Sequence, residues 1–385
     1  MTPRKTKIET LQAMRAFAAI CVMLFHGTQM IAQTFHFTFA GNVFMAGFMG
    51  VDIFFVLSGF IIYYTSCEGL FDVTKFLQKR FVRVYPMYWI ITILLILLYL
   101  AAPVANQSYK TDLGVVFRSF TLLPSTTYVL GVAWTLTYEI IFYLVFAFTF
   151  VFSPKVFFRA FMGWSAVIIA CYLFKVQPSS ISLRTFLNPI VLEFGFGCCI
   201  AWFFFRHAAF KYAKPVFVAG TVLLIAAWSI YLYVAGKYGR DAAFSGSFDR
   251  VYLFGLPSAL LVLGAIYYKG AVAKIFTAIG DASYSLYLIH GTLLSLFLKL
   301  TVKFHLTHLL GNLPGCIVLF TMVVACSWLV HIWVEKPVVK QVNAVLKRKT
   351  KVHETGKKLG LAPPDGLSAS LETTPAVSAP RTSLK

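Results

Sequence analysis

The residues best suited to chemistry stand in a stretch that should be inert. Positions 8–31 read IETLQAMRAFAAICVMLFHGTQMI, long enough to span a bilayer, yet they include Arg15 and His26. Ionisable groups at membrane depth are costly and usually face a cavity in which they act. The two are eleven positions apart. That is about three helical turns, so they share one face with Cα atoms roughly 16 Å apart. A guanidinium group near one membrane face and an imidazole deeper on the same line suit a long anionic ligand. The simpler account is that Arg15 snorkels to the headgroups and His26 makes a structural hydrogen bond.

Further ionisable groups recur along the chain. Asp52 lies in GVDIFFVLSGF, deep enough to need neutralisation, a partner or a wet cavity. Arg80 and Arg83, in KRFVRVYPMYW, are three apart on a helix and so share a face. Two guanidinium groups there can grip phosphate in bidentate fashion, or simply anchor the span at its inner edge. Glu139 stands in WTLTYEIIFY beside Trp134 and Tyr138, at a depth similar to that of His26. A carboxylate at that depth could orient the imidazole as a base. Glu193 is a second acidic candidate, and Tyr287 and His290 share a face in ASYSLYLIH. Near the end, Glu335 and Lys336 suggest an interfacial ion pair of little weight, and Pro337 a helix stop.

The elements that must position these groups are membrane helices. Of 385 residues, 59% are hydrophobic and 12% charged, far below the charge content of soluble domains. Ten spans are expected, at 8–31, 43–65, 84–103, 131–152, 160–175, 185–205, 215–235, 251–268, 281–299 and 314–334. The fold class is therefore an all-α integral membrane protein, with ten transmembrane helices in one bundle. Residues 1–340 form the membrane domain, and 341–385 a basic, disordered tail rich in Pro, Ser and Ala.

Lys and Arg in the connections set the orientation. With the N-terminus inside, 24 fall on the inner side and 9 on the outer, which puts both termini in the cytoplasm. The net charge of +20 reads as basic inner loops and tail; no aromatic-basic module outside the spans suggests nucleic acid. The seven cysteines show no zinc-like spacing with histidine, so neither a metal site nor a disulfide framework is expected. No small-residue cleavage site follows the basic N-terminus, so the first span reads as retained.

The segments LQAMRAFAAICVMLFH, GVDIFFVLSGFII, KRFVRVYPMYW, WTLTYEIIFYL, ASYSLYLIH and VEKP, in that order over about 8–340, resemble the membrane-bound acyltransferase type 3 family of bacterial envelope O-acyltransferases. Arg15 and His26 stand as that family's arginine, ten residues, histidine pattern. The resemblance implies a ten-helix core in the bacterial cytoplasmic membrane. It also implies transfer of an acyl group, commonly acetyl, from coenzyme A to a hydroxyl of a sugar or glycolipid. Acyl-CoA would be a co-substrate, with no permanently bound cofactor. Membrane lipid, and proteins that assemble envelope polysaccharide, would be partners.

On this reading Arg15, Arg80 and Arg83 bind acyl-CoA, and His26 is the base, oriented by Glu139 or Asp52. Trp134, Tyr138, Tyr287 and His290 are candidates for substrate contact. The rival is a proton-coupled transporter or sensor using the same His, Glu and Asp groups as a relay. It is disfavoured by the lack of a matched pair of Gly- or Pro-broken helices.

Overall fold

The computed structural model describes residues 9–36, 39–103, 107–239, 247–310 and 312–358. Among them there are helices and turns and no strand. Ten helical stretches are long and apolar enough to cross a membrane: Glu9–Phe35, Phe39–Ser66, Val73–Ala101, Ala133–Phe150, Pro154–Leu173, Ile181–Arg206, Ala213–Tyr238, Phe248–Ile266, Ser283–Lys303 and Leu313–Arg348. These are spans one to ten below. The chain is a multi-pass, all-α membrane protein. Their outward faces carry apolar side chains such as Leu97, Phe148 and Ile225, which suit lipid rather than water.

Span boundaries follow local rules. Asp72, Ser153 and Asn312 accept backbone N–H bonds at the starts of spans three, five and ten respectively, satisfying donors that a helix cannot. The third helix starts at Val73, about three turns before the expected 84, so Arg80 and Arg83 ride on the helix itself. It passes through Pro86 without ending.

Span two is the centre of the bundle, packed on spans one and six. Apolar burial drives no helix association in lipid, so close packing must. A Cβ at Gly59 would lie 1.9 Å from the Phe194 carbonyl oxygen, and one at Gly197 2.0 Å from that of Val56. The two backbones touch there, which only glycine on both sides permits. At its N-terminal end the stretch begins as a tight helical segment, Phe39–Met49, with left-handed backbone at Ala40, Gly41 and Asn42.

Spans eight and ten each contain a π turn, Val251–Gly255 and His331–Glu335. In each, the next residue bonds five positions back, Leu256 N–H to Val251 O and Lys336 N–H to His331 O. A proline follows at once, Pro257 or Pro337. Proline lacks an N–H and clashes with the carbonyl four residues earlier; an extra residue in the turn relieves both. Pro337 therefore does not stop the helix as expected. Helix continues over Lys336–Lys358, so residues 341–358 of the expected disordered tail are helical. The rest of that tail, 359–385, lies outside the described residues. The chain divides into two units, Met1–Val339 and Lys340–Lys385.

Candidate active site

Among the described residues of the membrane unit, two neighbouring cavities share Val51 and Tyr287 in their walls. The first has a volume of about 310 Å³ and is walled by Arg15, Arg80, Arg83, Glu139, Tyr143 and Tyr284. That is the small end of the range for small-molecule sites. Arg83 donates to Glu335 at 3.0 Å and lies over the Tyr284 ring at 5.0 Å. Glu335, buried in the π turn of span ten, also accepts from Ser285 and His331, both at 2.7 Å. Arg80 reaches Thr65 Oγ1 at 3.5 Å and lies over the rings of Phe76 and Tyr143. Its buried Nε has no hydrogen-bond partner among the described residues. Arg15 makes no hydrogen bond or ion pair there either. Three guanidinium groups and one carboxylate, Glu139, line the cavity, with Glu335 and Asp281 within electrostatic reach of Arg15. The cavity keeps a surplus of positive charge and unspent donors, as a phosphate-bearing ligand requires.

The second cavity holds the imidazole. His26 shares its walls with Arg250, Trp134, Phe48 and Tyr231. His26 Nδ1 lies 3.1 Å from the Val22 carbonyl and 3.0 Å from His290 Nε2. His290 Nδ1 lies 3.1 Å from the Leu286 carbonyl, which can only accept. In a neutral ring, Nδ1–H of His290 donates there and its Nε2 accepts. His26 Nδ1 must then carry the proton, shared between His290 and Val22. The lone pair of His26 is left on Nε2, in the state a general base needs.

The boundary between the cavities is polar on one side. Tyr287 and Thr135 hydroxyls are 2.8 Å apart. Arg15 and His26, on one face of span one, open into the first and second cavity respectively.

Sequence comparison places the chain in a family. The model of the acyltransferase domain family, type 3, matches residues 8–332. The chain belongs to this family. Curated relatives include the exopolysaccharide production protein ExoZ of Rhizobium meliloti, 28% identical over 304 residues, covering 72% of this chain and 83% of that protein. The acyltransferase MdmB of Streptomyces mycarofaciens is 26% identical over 329 residues, covering 75% and 80%. No solved structure matches.

Measured against what a type 3 acyltransferase is expected to need, the structure rearranges several partners. Glu139 does not orient His26. Span four turns it into the arginine cavity, where Ser58 donates to it at 2.9 Å and Tyr143 also bonds it. Asp52 does not touch His26 either. It is fully buried and gripped by Arg250 through both oxygens, Nε to Oδ1 and Nη2 to Oδ2, each at 2.9 Å. His290 lines neither cavity; it is buried and is the ring that His26 donates to. Tyr138 packs edge-on against Phe55 and Trp134 and lines neither cavity. Trp134 and Tyr287 do line the second. Glu193 is fully buried, with both carboxylate oxygens unpartnered among the described residues. Glu335 pairs with Arg83 rather than with its neighbour Lys336.

Arg250 and the role of Glu335 escaped the sequence reading. Arg250 falls in a connection between the expected spans, yet it lies in the first turn of span eight. A buried Asp52 demands a cation, and a basic residue at a span end was the available signal. For Glu335 the signal was Pro337 two residues on, which marks a widened turn rather than an end.

Proposed function

We propose that this acyltransferase moves an acyl group, most simply acetyl, from acyl-CoA to a hydroxyl of a sugar in an exported polysaccharide or glycolipid. The observation that carries this is the pair of cavities meeting at Val51 and Tyr287, one cationic and one holding a histidine poised as a base. Acyl-CoA enters the arginine cavity from the cytoplasm, its phosphates on Arg80 and Arg15. Arg83, braced by Glu335, adds a third cation. The pantetheine arm points the thioester toward Tyr287. A sugar occupies the second cavity from the outer side of the bacterial cytoplasmic membrane.

His26 Nε2 takes the proton of the acceptor hydroxyl as its oxygen attacks the thioester carbonyl. The tetrahedral intermediate collapses, the carbon–sulfur bond breaks, and the CoA thiolate takes the proton back from His26. His290 stabilises the transient imidazolium by accepting its Nδ1–H. The thioester supplies the free energy. The relative named for exopolysaccharide production supports a saccharide acceptor, and family membership displaces the transporter reading.

Purified protein incubated with labelled acetyl-CoA and exported polysaccharide from the source cells tests this. Label should pass to the polysaccharide as free CoA appears, and His26→Gln should abolish both. Label that stays on CoA with the wild-type protein overturns the proposal.

A further inference from the structure

The geometry points to Arg250 as the acceptor-anchoring residue of the His26 cavity, in a subsite shaped for an uncharged sugar ring. This rests on the acyltransferase reading above and deepens it. The residue is delivered by the turn before the π segment Val251–Gly255. Its side chain keeps 19% of its surface open, while Asp52 beneath it has none. Nε and Nη2 are spent on Asp52, and Nη2 also reaches the Phe48 carbonyl at 3.5 Å. Nη1 makes no hydrogen bond among the described residues, so two donors remain for a ligand. The guanidinium carbon lies over the rings of Phe48 and Trp134, 5.1 and 5.8 Å from their centroids. Ion pairing and stacking together hold the fork rigid.

A rigid donor pair beside an indole, in the cavity that holds the base, is what a pyranose needs. Its apolar C–H face covers an aromatic ring and its hydroxyls accept from a fixed donor. Charge decides which sugar. Asp52 already neutralises Arg250, and Glu193 sits close behind in the fully buried layer, against Gly255. No surplus positive charge is left for a carboxylate on the ligand, whether or not Glu193 is ionised. A uronic acid would therefore be desolvated without compensation. The arginine cavity, by contrast, keeps its surplus for the donor.

The test uses full-length protein in detergent. Methyl glucoside, galactoside and mannoside are titrated, then the methyl glycosides of the corresponding uronic acids. Intrinsic fluorescence reports binding, with Trp134→Phe as the blank for the nearby indole. The expected result is saturable quenching by at least one neutral glycoside, at least fivefold weaker binding of its uronic counterpart, and about tenfold weakening in Arg250→Gln. Because Arg250→Gln strands Asp52, the double variant Asp52→Asn/Arg250→Gln, which leaves no buried unpaired charge, is measured beside it and should show the same loss. The inference is overturned by tighter binding of the uronic glycosides, by unchanged affinity in the double variant, or by no saturable binding of any neutral glycoside. Release of CoA from labelled acetyl-CoA is followed in the same preparations. Wild-type protein that releases CoA but binds no neutral glycoside loses only this inference; one that releases none loses the acyltransferase proposal as well.

Discussion

His290 Nε2 stands 3.0 Å from His26 Nδ1, and no carboxylate bonds either ring among the described residues. His26, the proposed base, is therefore paired with a second imidazole, itself fixed by the Leu286 carbonyl. A neutral acceptor holds the tautomer as well as a carboxylate would, but it offers no full negative charge to the imidazolium.

His26→Gln should lower turnover by about 10²–10⁴ with membrane abundance unchanged. His290→Gln removes the ring that fixes the tautomer and leaves His26 in place. A loss in kcat at unchanged KM for acyl-CoA is the expected signature. If both variants turn over normally in a correctly inserted protein, the imidazole pair is structural.

Arg80 and Arg83 should separate. Arg80 lines the cavity and its buried Nε has no partner among the described residues, whereas Arg83 is committed to buried Glu335. Arg80→Ala should raise the KM for acyl-CoA, equivalent to about 1.5–3 kcal/mol for a lost charge-assisted contact. Arg83→Ala strands a buried carboxylate, at a cost of about 3–5 kcal/mol, and should reduce folded protein first. Thermal unfolding in detergent beside donor kinetics distinguishes the two; equal effects of both variants on stability would contradict the assignment.

Pro337→Ala tests the π turn. With an N–H restored and the ring clash gone, the turn can relax to α geometry, which rotates Glu335 relative to the helix that follows. Donor affinity should fall several-fold while acceptor KM holds. An unaltered donor KM would mean that the turn does not position Glu335.

Gly59→Ala should be poorly tolerated. The added Cβ would meet backbone of span six, 1.9 Å from the Phe194 oxygen, which cannot move as a side-chain tip can. Overpacking of about 1–3 kcal/mol or more is expected, read as lost abundance and a lower unfolding temperature. Gly131→Ala, which meets nothing within 4 Å, is the control.

Topology reporters check the side from which acyl-CoA enters. A fusion after residue 350 should report cytoplasm, and one within 240–248 the outer side, from the 24-to-9 distribution of Lys and Arg. A clear outer signal from the C-terminal fusion would invert the proposed donor side.

Sequence alone determined what depends on local order. Ten apolar runs specify ten spans, because bilayer thickness fixes a helix length. The common face of Arg15 and His26 follows from eleven positions of one helix, and Arg80 and Arg83 share a face for the same reason. Which groups meet across helices was another matter. Spans apolar on all sides carry little record of which face turns inward, since lipid is as apolar as a neighbouring helix. Similar depth made Glu139 seem a partner for His26, yet the rotation of span four delivered it to the arginines. Asp52 found Arg250 across 198 positions of sequence, and Arg83 found Glu335 across 252. Those pairings were decided by the close contact of glycine backbones and by two proline-widened turns, because only packing sets how far each helix is rotated about its own axis.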